Sequence, residues 1–140
     1  MRFQKQTLKE NCPSIHLDFE LELSGSEIHV VPLLIARVQG EYRDGSAGAP
    51  DAAYISGLCR TAIELWNARA VLLDLSQLSY EWGDEFDNLY NLDVPLAVVV
   101  GEKCRRAMST LEFGVDTDKD ITEVEYFFEE EGPALKWLTR

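Results

Sequence analysis

The chain has 140 residues, 46% of them apolar and 10% aromatic, enough to bury a real core in one globular domain that spans residues 1–140. Asp and Glu outnumber Lys and Arg by 25 to 13, a formal charge of -12 that repels phosphate backbones and excludes nucleic acid as the expected partner. No stretch approaches the ~20 apolar residues of a membrane span, and MRFQKQTLKE lacks the apolar segment of a secretory signal, so a cytoplasmic chain without membrane contact is expected.

Residues 1–13 are polar with scattered bases and read as an arm or an extra edge element. Ile15, Leu17, Phe19, Leu21 and Leu23 then alternate with polar residues, the period-two pattern of a half-buried strand. Ser24-Gly25-Ser26 is turn chemistry, so this strand and the apolar segment after it form a hairpin extension through residue 32, ahead of a core at 33–140. Pro32 removes a ladder donor and marks a break or bulge, which leaves Leu33 to Gln39 as the principal strand.

Gly45, Gly48 and Pro50 mark a loop, and Asp51 is expected to cap a helix with Ile55, Leu58, Cys59, Ala62, Leu65 and Trp66 at apolar helical spacing. The following run from Ala70 to Leu75 is too apolar for a strand with one wet face, and belongs in the middle of a sheet covered on both sides. Strand, crossover helix and strand make a parallel unit with a right-handed connection. Such sheets meet ligands and partners where their strands end, so attention falls on Tyr80 to Asp84.

Trp82, Phe86, Leu89 and Tyr90 recur at helical intervals and predict a short amphipathic helix stopped by Pro95. Leu96 to Val100 predicts another two-sided strand, followed by a helix carrying Ala107, Met108 and Leu111 and closed by Gly114. Thr122 to Phe128 reads as a last strand, with a helix using Ile121, Val124 and Phe128 as the alternative. A terminal helix from Glu129–Gly132 buries Ala134, Leu135, Trp137 and Leu138.

The chemistry-bearing residues carry little catalytic signal. Cys12, Cys59 and Cys104 form neither an even disulfide framework nor a CxxC pair, so free thiols and no zinc site are expected. Asp116, Asp118 and Asp120 imitate a calcium loop, but Ile121 stands where glycine is needed and Phe127 where a bidentate glutamate is needed. Cys104 lies beside Lys103, Arg105 and Arg106, an environment that lowers a thiol pKa, although neither His16 nor His29 is placed near it as a base. No GxSxG elbow occurs. Glu81, Asp84, Glu85 and Asp87 contain the makings of a general acid and base pair, but a charged helix start is the simpler account.

In order and spacing, LLIARVQGEY, AVLLDLSQLSY, PLAVVVGEKCRRAM and EEEGPALKWL make Leu33 to Leu138 resemble the STAS domain, the fold of anti-sigma factor antagonists. The resemblance implies a mainly parallel α/β sheet flanked by helices and a non-catalytic, regulatory protein-binding role. In antagonists of that family the central strand runs into an Asp-Ser-Ser or Asp-Ser-Thr-Gly turn whose hydroxyl is phosphorylated by a partner kinase. Here Glu81 matches the aspartate, while Trp82 and Gly83 occupy the hydroxyl positions and cannot accept phosphate. No phosphorylation site is therefore expected there, and Ser79 is the only nearby hydroxyl to substitute.

The expected partner surface is Tyr80, Glu81, Trp82, Asp84, Asp87 and Tyr90, facing a protein partner that presents bases, with no cofactor and no metal. Trp82 serves either that surface or the core. Two further readings keep the same residues: an acidic inhibitor or immunity protein that caps a basic partner, and a small-molecule enzyme whose strand-end carboxylates line a cleft.

Overall fold

The three most apolar runs become the inner strands of one five-stranded sheet, ordered β1-β2-β3-β4-β5 and built from Ile15–Leu21, Leu33–Glu41, Ala70–Ser79, Leu96–Val100 and Phe127–Phe128. The computed structural model describes residues 1–22 and 32–140. β1 runs antiparallel to β2, and every other neighbouring pair is parallel. The sheet is thus mixed and mainly parallel, with its strands in the order expected. The antiparallel β1–β2 pairing agrees with the expected hairpin, whose turn, Ser24-Gly25-Ser26, lies outside the described residues.

Helices α1 (Leu8–Asn11), α2 (Gly48–Trp66), α3 (Arg105–Phe113) and α4 (Glu131–Leu138) flank the sheet. Among the described residues, no helix is long and apolar enough to cross a membrane. The unbroken apolar run of β3 is explained by its two neighbours. Leu73 and Leu75 join Ala36, Val38, Ile55, Cys59 and Val98 in the larger core, while Leu72 turns the other way to meet Ala97, Val99 and Ala134. Leu72, Leu73 and Leu75 are all fully buried, and burying one such side chain is worth about 1.5–3 kcal/mol.

The second face is polar towards β1. Arg37 stands opposite Asp18 on β1 and Asp74 on β3, and its guanidinium contacts Glu20, Asp74 and Glu131 at 2.8 Å each. One cation thereby links β1, β2, β3 and the first turn of α4. Glu131 Oε1 makes its contact as a close ion pair that lacks hydrogen-bond alignment.

Several expected boundaries move. Asp51 is not the cap of α2 but lies inside its first turn, fully buried, accepting from the Arg43 backbone N–H at 2.9 Å and from its guanidinium. Leu65 and Trp66, expected inward, are exposed at the end of α2, where Trp66 makes an edge contact with Phe19 of β1. Leu111 faces solvent too, and α3 instead buries Met108 and Ser109. The segment 121–128 is neither the long strand nor a helix. An Asp120–Glu123 capping box winds Ile121–Glu123 into a 3-10 turn, which leaves only Phe127–Phe128 to pair with β4.

Candidate functional site

The strand ends converge around the turn that leaves β3. The Tyr42 N–H donates to the Ser79 carbonyl at 2.9 Å, tying the end of β2 to that of β3, and the Tyr80 N–H donates to the Lys103 carbonyl beyond β4 at 3.1 Å. The turn then lies against the loop before α2, where the Asp84 N–H donates to the Gly45 carbonyl at 2.8 Å and the Tyr42 hydroxyl donates to the Asp84 carbonyl at 2.6 Å. These bonds close a backbone gap too narrow for side chains. A Cβ on Gly83 would stand 2.2 Å from the Arg43 carbonyl oxygen, and one on Gly48 would stand 2.6 Å from the same atom.

Beneath the turn is an aromatic stack. Tyr80 and Phe86 lie face to face with centroids 3.7 Å apart, Tyr42 meets both edge-on, and Tyr90 continues the contact to Phe127. Edge-to-face and offset pairs of this kind add about 0.5–1.5 kcal/mol each beyond area burial. Burial pushes the Tyr42, Tyr80 and Tyr90 hydroxyls above their ordinary titration range, so all three stay neutral. Tyr80 has no exposed face to offer a partner. Tyr90 is half-buried, with its hydroxyl enclosed and without a hydrogen-bond partner among the described residues. Both tyrosines, expected at the partner surface, here support it from below.

Above the stack the picture reverses. Trp82 is 62% exposed, and its ring rests across Gly45, where an added Cβ would approach Cη2 to 3.0 Å. Glu81, Asp84, Glu85 and Asp87 are exposed as well. Of the residues expected to bind a partner, Glu81, Trp82, Asp84 and Asp87 are therefore the accessible ones. The expected amphipathic helix is a 3-10 turn, Phe86–Tyr90, entered through Glu85 in the left-handed region at φ 62°. Phe86 and Leu89 face inward from it, and Trp82 lies outside it.

Sequence reasoning missed Tyr42, Gly45 and the Arg43–Asp51 pair, which fix the loop beneath Trp82. Tyr42 and Gly45 reach Asp84 about forty residues on, and Arg43 ties its loop to the following helix through Asp51; no local pattern announces either contact. Beside the turn, Ser14, Glu41, Arg43, Ser79 and Glu81 line an open groove of about 470 Å³. Arg43 is held there by Asp51 and by the Asn11 carbonyl, at 2.8 Å and 2.7 Å.

The thiols lie elsewhere. Cys12, Cys59 and Cys104 are free and buried, and burial pushes Cys59 up to about 12. Cys104 is raised chiefly by burial, with a weaker opposing effect from a Gly101 backbone hydrogen bond, and its Sγ points to the Leu75 carbonyl. The neighbouring bases do not reach it as activating partners, and Cys104 is a packed thiol, the role favoured for it over a nucleophile. Among the described residues, no group of acidic, histidine or cysteine side chains is arranged to hold a metal ion.

Fold and surface together define a mixed α/β domain that displays an acidic, tryptophan-bearing turn at the carboxyl ends of its parallel strands. No family model matches the chain, and no curated protein matches it. Among solved structures the chain is similar to the anti-sigma factor antagonist SpoIIAA in its unphosphorylated form, at 14% identity and a TM-score of 0.48, over 87% of this chain and 96% of that one.

Proposed function

We propose that this chain is a non-catalytic regulatory domain that binds a basic protein partner through Glu81, Trp82, Asp84 and Asp87. The observation that carries the reading is Trp82: a 62% exposed indole held on a floor of glycine and hydrogen-bonded backbone. Leaving so large an apolar surface wet contributes nothing to folding, whereas aromatic anchors in a rigid setting supply much of the energy of interfaces. The surrounding carboxylates set the polarity of the partner and speed its approach, with an association that weakens as salt screens them. The element order shared with STAS domains supports the same direction.

The surface is permanently charged. Neither Trp82 nor Gly83 offers a hydroxyl, and phosphate on Ser79 would add about -1.5 to -2 charge to a groove that already contains Glu41 and Glu81. Binding is thus governed by the partner's availability and by salt, without a phosphoswitch. An acidic inhibitor that caps a basic site would use the same four residues.

The test is affinity capture from the native cell with wild type, a Glu81→Lys/Asp84→Lys/Asp87→Lys variant and Trp82→Ala, each checked for fold by circular dichroism. A specific protein retained by the wild type should be lost from both folded variants and eluted by salt. Retention by the triple variant, or indifference to salt, refutes the surface.

A further inference from the structure

A second surface lies on the outer side of α2, next to the root of the N-terminal arm. Residues 1–9 contain Arg2, Lys5 and Lys9 and no carboxylate, which leaves 10 of the 13 bases against all 25 acids in residues 10–140, a formal -15 beside the arm's +3. The arm is apolar as well as basic, with Phe3 90% and Leu8 71% exposed. Its direction is fixed at the root. The Thr7 hydroxyl accepts from the Glu10 N–H, the Glu10 carboxylate accepts from the Thr7 N–H, and the Asn11 amide donates to Gln6 Oε1 and to the Thr7 carbonyl. Residues 1–5 are exposed throughout, and none of them lines the groove beside the root.

That groove measures about 520 Å³ and is mainly apolar, lined by Leu8, Cys12, Tyr54, Gly57, Leu58 and Thr61. The α2 residues follow helical spacing, and the stripe runs on to Glu64 and to Leu65, both exposed. Gly57 is the telling position. Glycine inside a helix costs about 1 kcal/mol relative to alanine, and among the described residues a Cβ there would meet nothing within 4 Å, so no described contact requires it. The space above it is room for a side chain from outside.

We propose that the occupant is the arm of a second copy, two chains pairing by reciprocal exchange so that Phe3 of each covers Gly57 of the other. The arm starts at the groove's rim, and five extended residues reach roughly 17 Å, enough to cross into a partner's groove beside a two-fold axis. Charge favours this geometry over other self-contacts. The two acidic bodies repel, while Arg2 and Lys5 of each arm bring positive charge to the acidic body of the other chain. This surface is independent of the Trp82 turn.

The experiment uses the full chain. Sedimentation equilibrium should give a wild-type dimer whose dissociation constant rises roughly ten- to a hundredfold in Phe3→Ala, the loss expected for one buried aromatic side chain. Gly57→Leu, which fills the notch while favouring the helix, should weaken the dimer as strongly. Mixing a Phe3→Cys variant with a Gly57→Cys variant under oxidising conditions should yield a linked heterodimer identifiable by mass. A monomeric wild type, a Gly57→Leu dimer of unchanged strength, or no linked heterodimer would each overturn the proposal. So would an internal disulfide in the double variant, which would place the arm on its own chain.

Discussion

Gly83 shows how much of the site depends on one missing side chain. Its Cβ would stand 2.2 Å from the Arg43 carbonyl and 2.5 Å from Tyr42 Cε1, on a ring whose hydroxyl is tied to the Asp84 carbonyl. Backbone cannot move aside as the end of a lysine can, so Gly83→Ala should cost about 1–3 kcal/mol in urea unfolding, the usual penalty for overpacking. Gly132→Ala in α4 is the control, since its Cβ meets nothing, and it should leave stability unchanged or slightly raised. Equal effects at the two positions would mean that the turn is not packed as described. The sequence shows that residue 83 is glycine. It does not show that Arg43 and Tyr42 are what make glycine necessary.

At the scale of elements, short segments are held by ion pairs as much as by apolar burial. Arg105 of α3 reaches Asp120 at 2.7 Å and 2.8 Å and also contacts Glu129, joining α3 to the chain on both sides of β5. Hydrogen bonds from Arg105 first, and from Thr122 next, hold the Asp120 carboxyl well below the usual carboxylate range. A pKa depressed by folding stabilises the native state above the unfolded value of about 3.9 and loses that contribution as pH falls below it. Thermal midpoints of wild type and Asp120→Asn should therefore differ at neutral pH and converge as pH falls through about 4. Because the pair is about one-third exposed, the difference should be small and reduced by salt. A gap that widens in acid would refute the assignment.

The same scale explains which expectations failed. Strong two-sided apolar runs placed β3 and β4 correctly, because almost every local choice in them agrees with burial on both faces, and the break at Pro32 marked the start of β2. The stretch 82–90 has helical spacing, yet only Phe86–Tyr90 winds, as a 3-10 turn, since the Asp84 N–H is taken by Gly45 and Glu85 adopts a positive φ. In 121–128 the Asp120–Glu123 capping box overrode the alternation. Both cases are local periodicity losing to hydrogen bonds that are satisfied elsewhere.

For the whole molecule, the charge of -12 is the dominant global quantity. Self-repulsion opposes the compact state, while the clusters around Arg37 and Arg105 are attractive and partly exposed. With the acidic excess this large, repulsion should prevail. The thermal midpoint by scanning calorimetry should rise as sodium chloride is added from low ionic strength to about 0.15 M, where the screening length is about 8 Å. A falling midpoint would show that the arginine clusters contribute more than the surplus of acids removes.

Some properties follow from the sequence alone because they are sums or periods: the charge, the period-two pattern of β1, the two-sided runs of β3 and β4, and the parallel order that crossover segments impose. The lack of a hydroxyl at Trp82 and Gly83 is equally a fact of sequence. Only the tertiary structure decided that Trp82 is outside while Tyr80, two residues earlier, is buried in a stack with Phe86. Both are large aromatics beside carboxylates, and nothing local separates them. What separates them is the space available when the loop carrying Gly45 and Gly48 closes over the strand ends: Tyr42 and Phe86 fill the interior around Tyr80, and the indole of Trp82 is left to lie on top. Exposure of an aromatic side chain is a property of close packing between distant segments, and it becomes definite only when those segments meet.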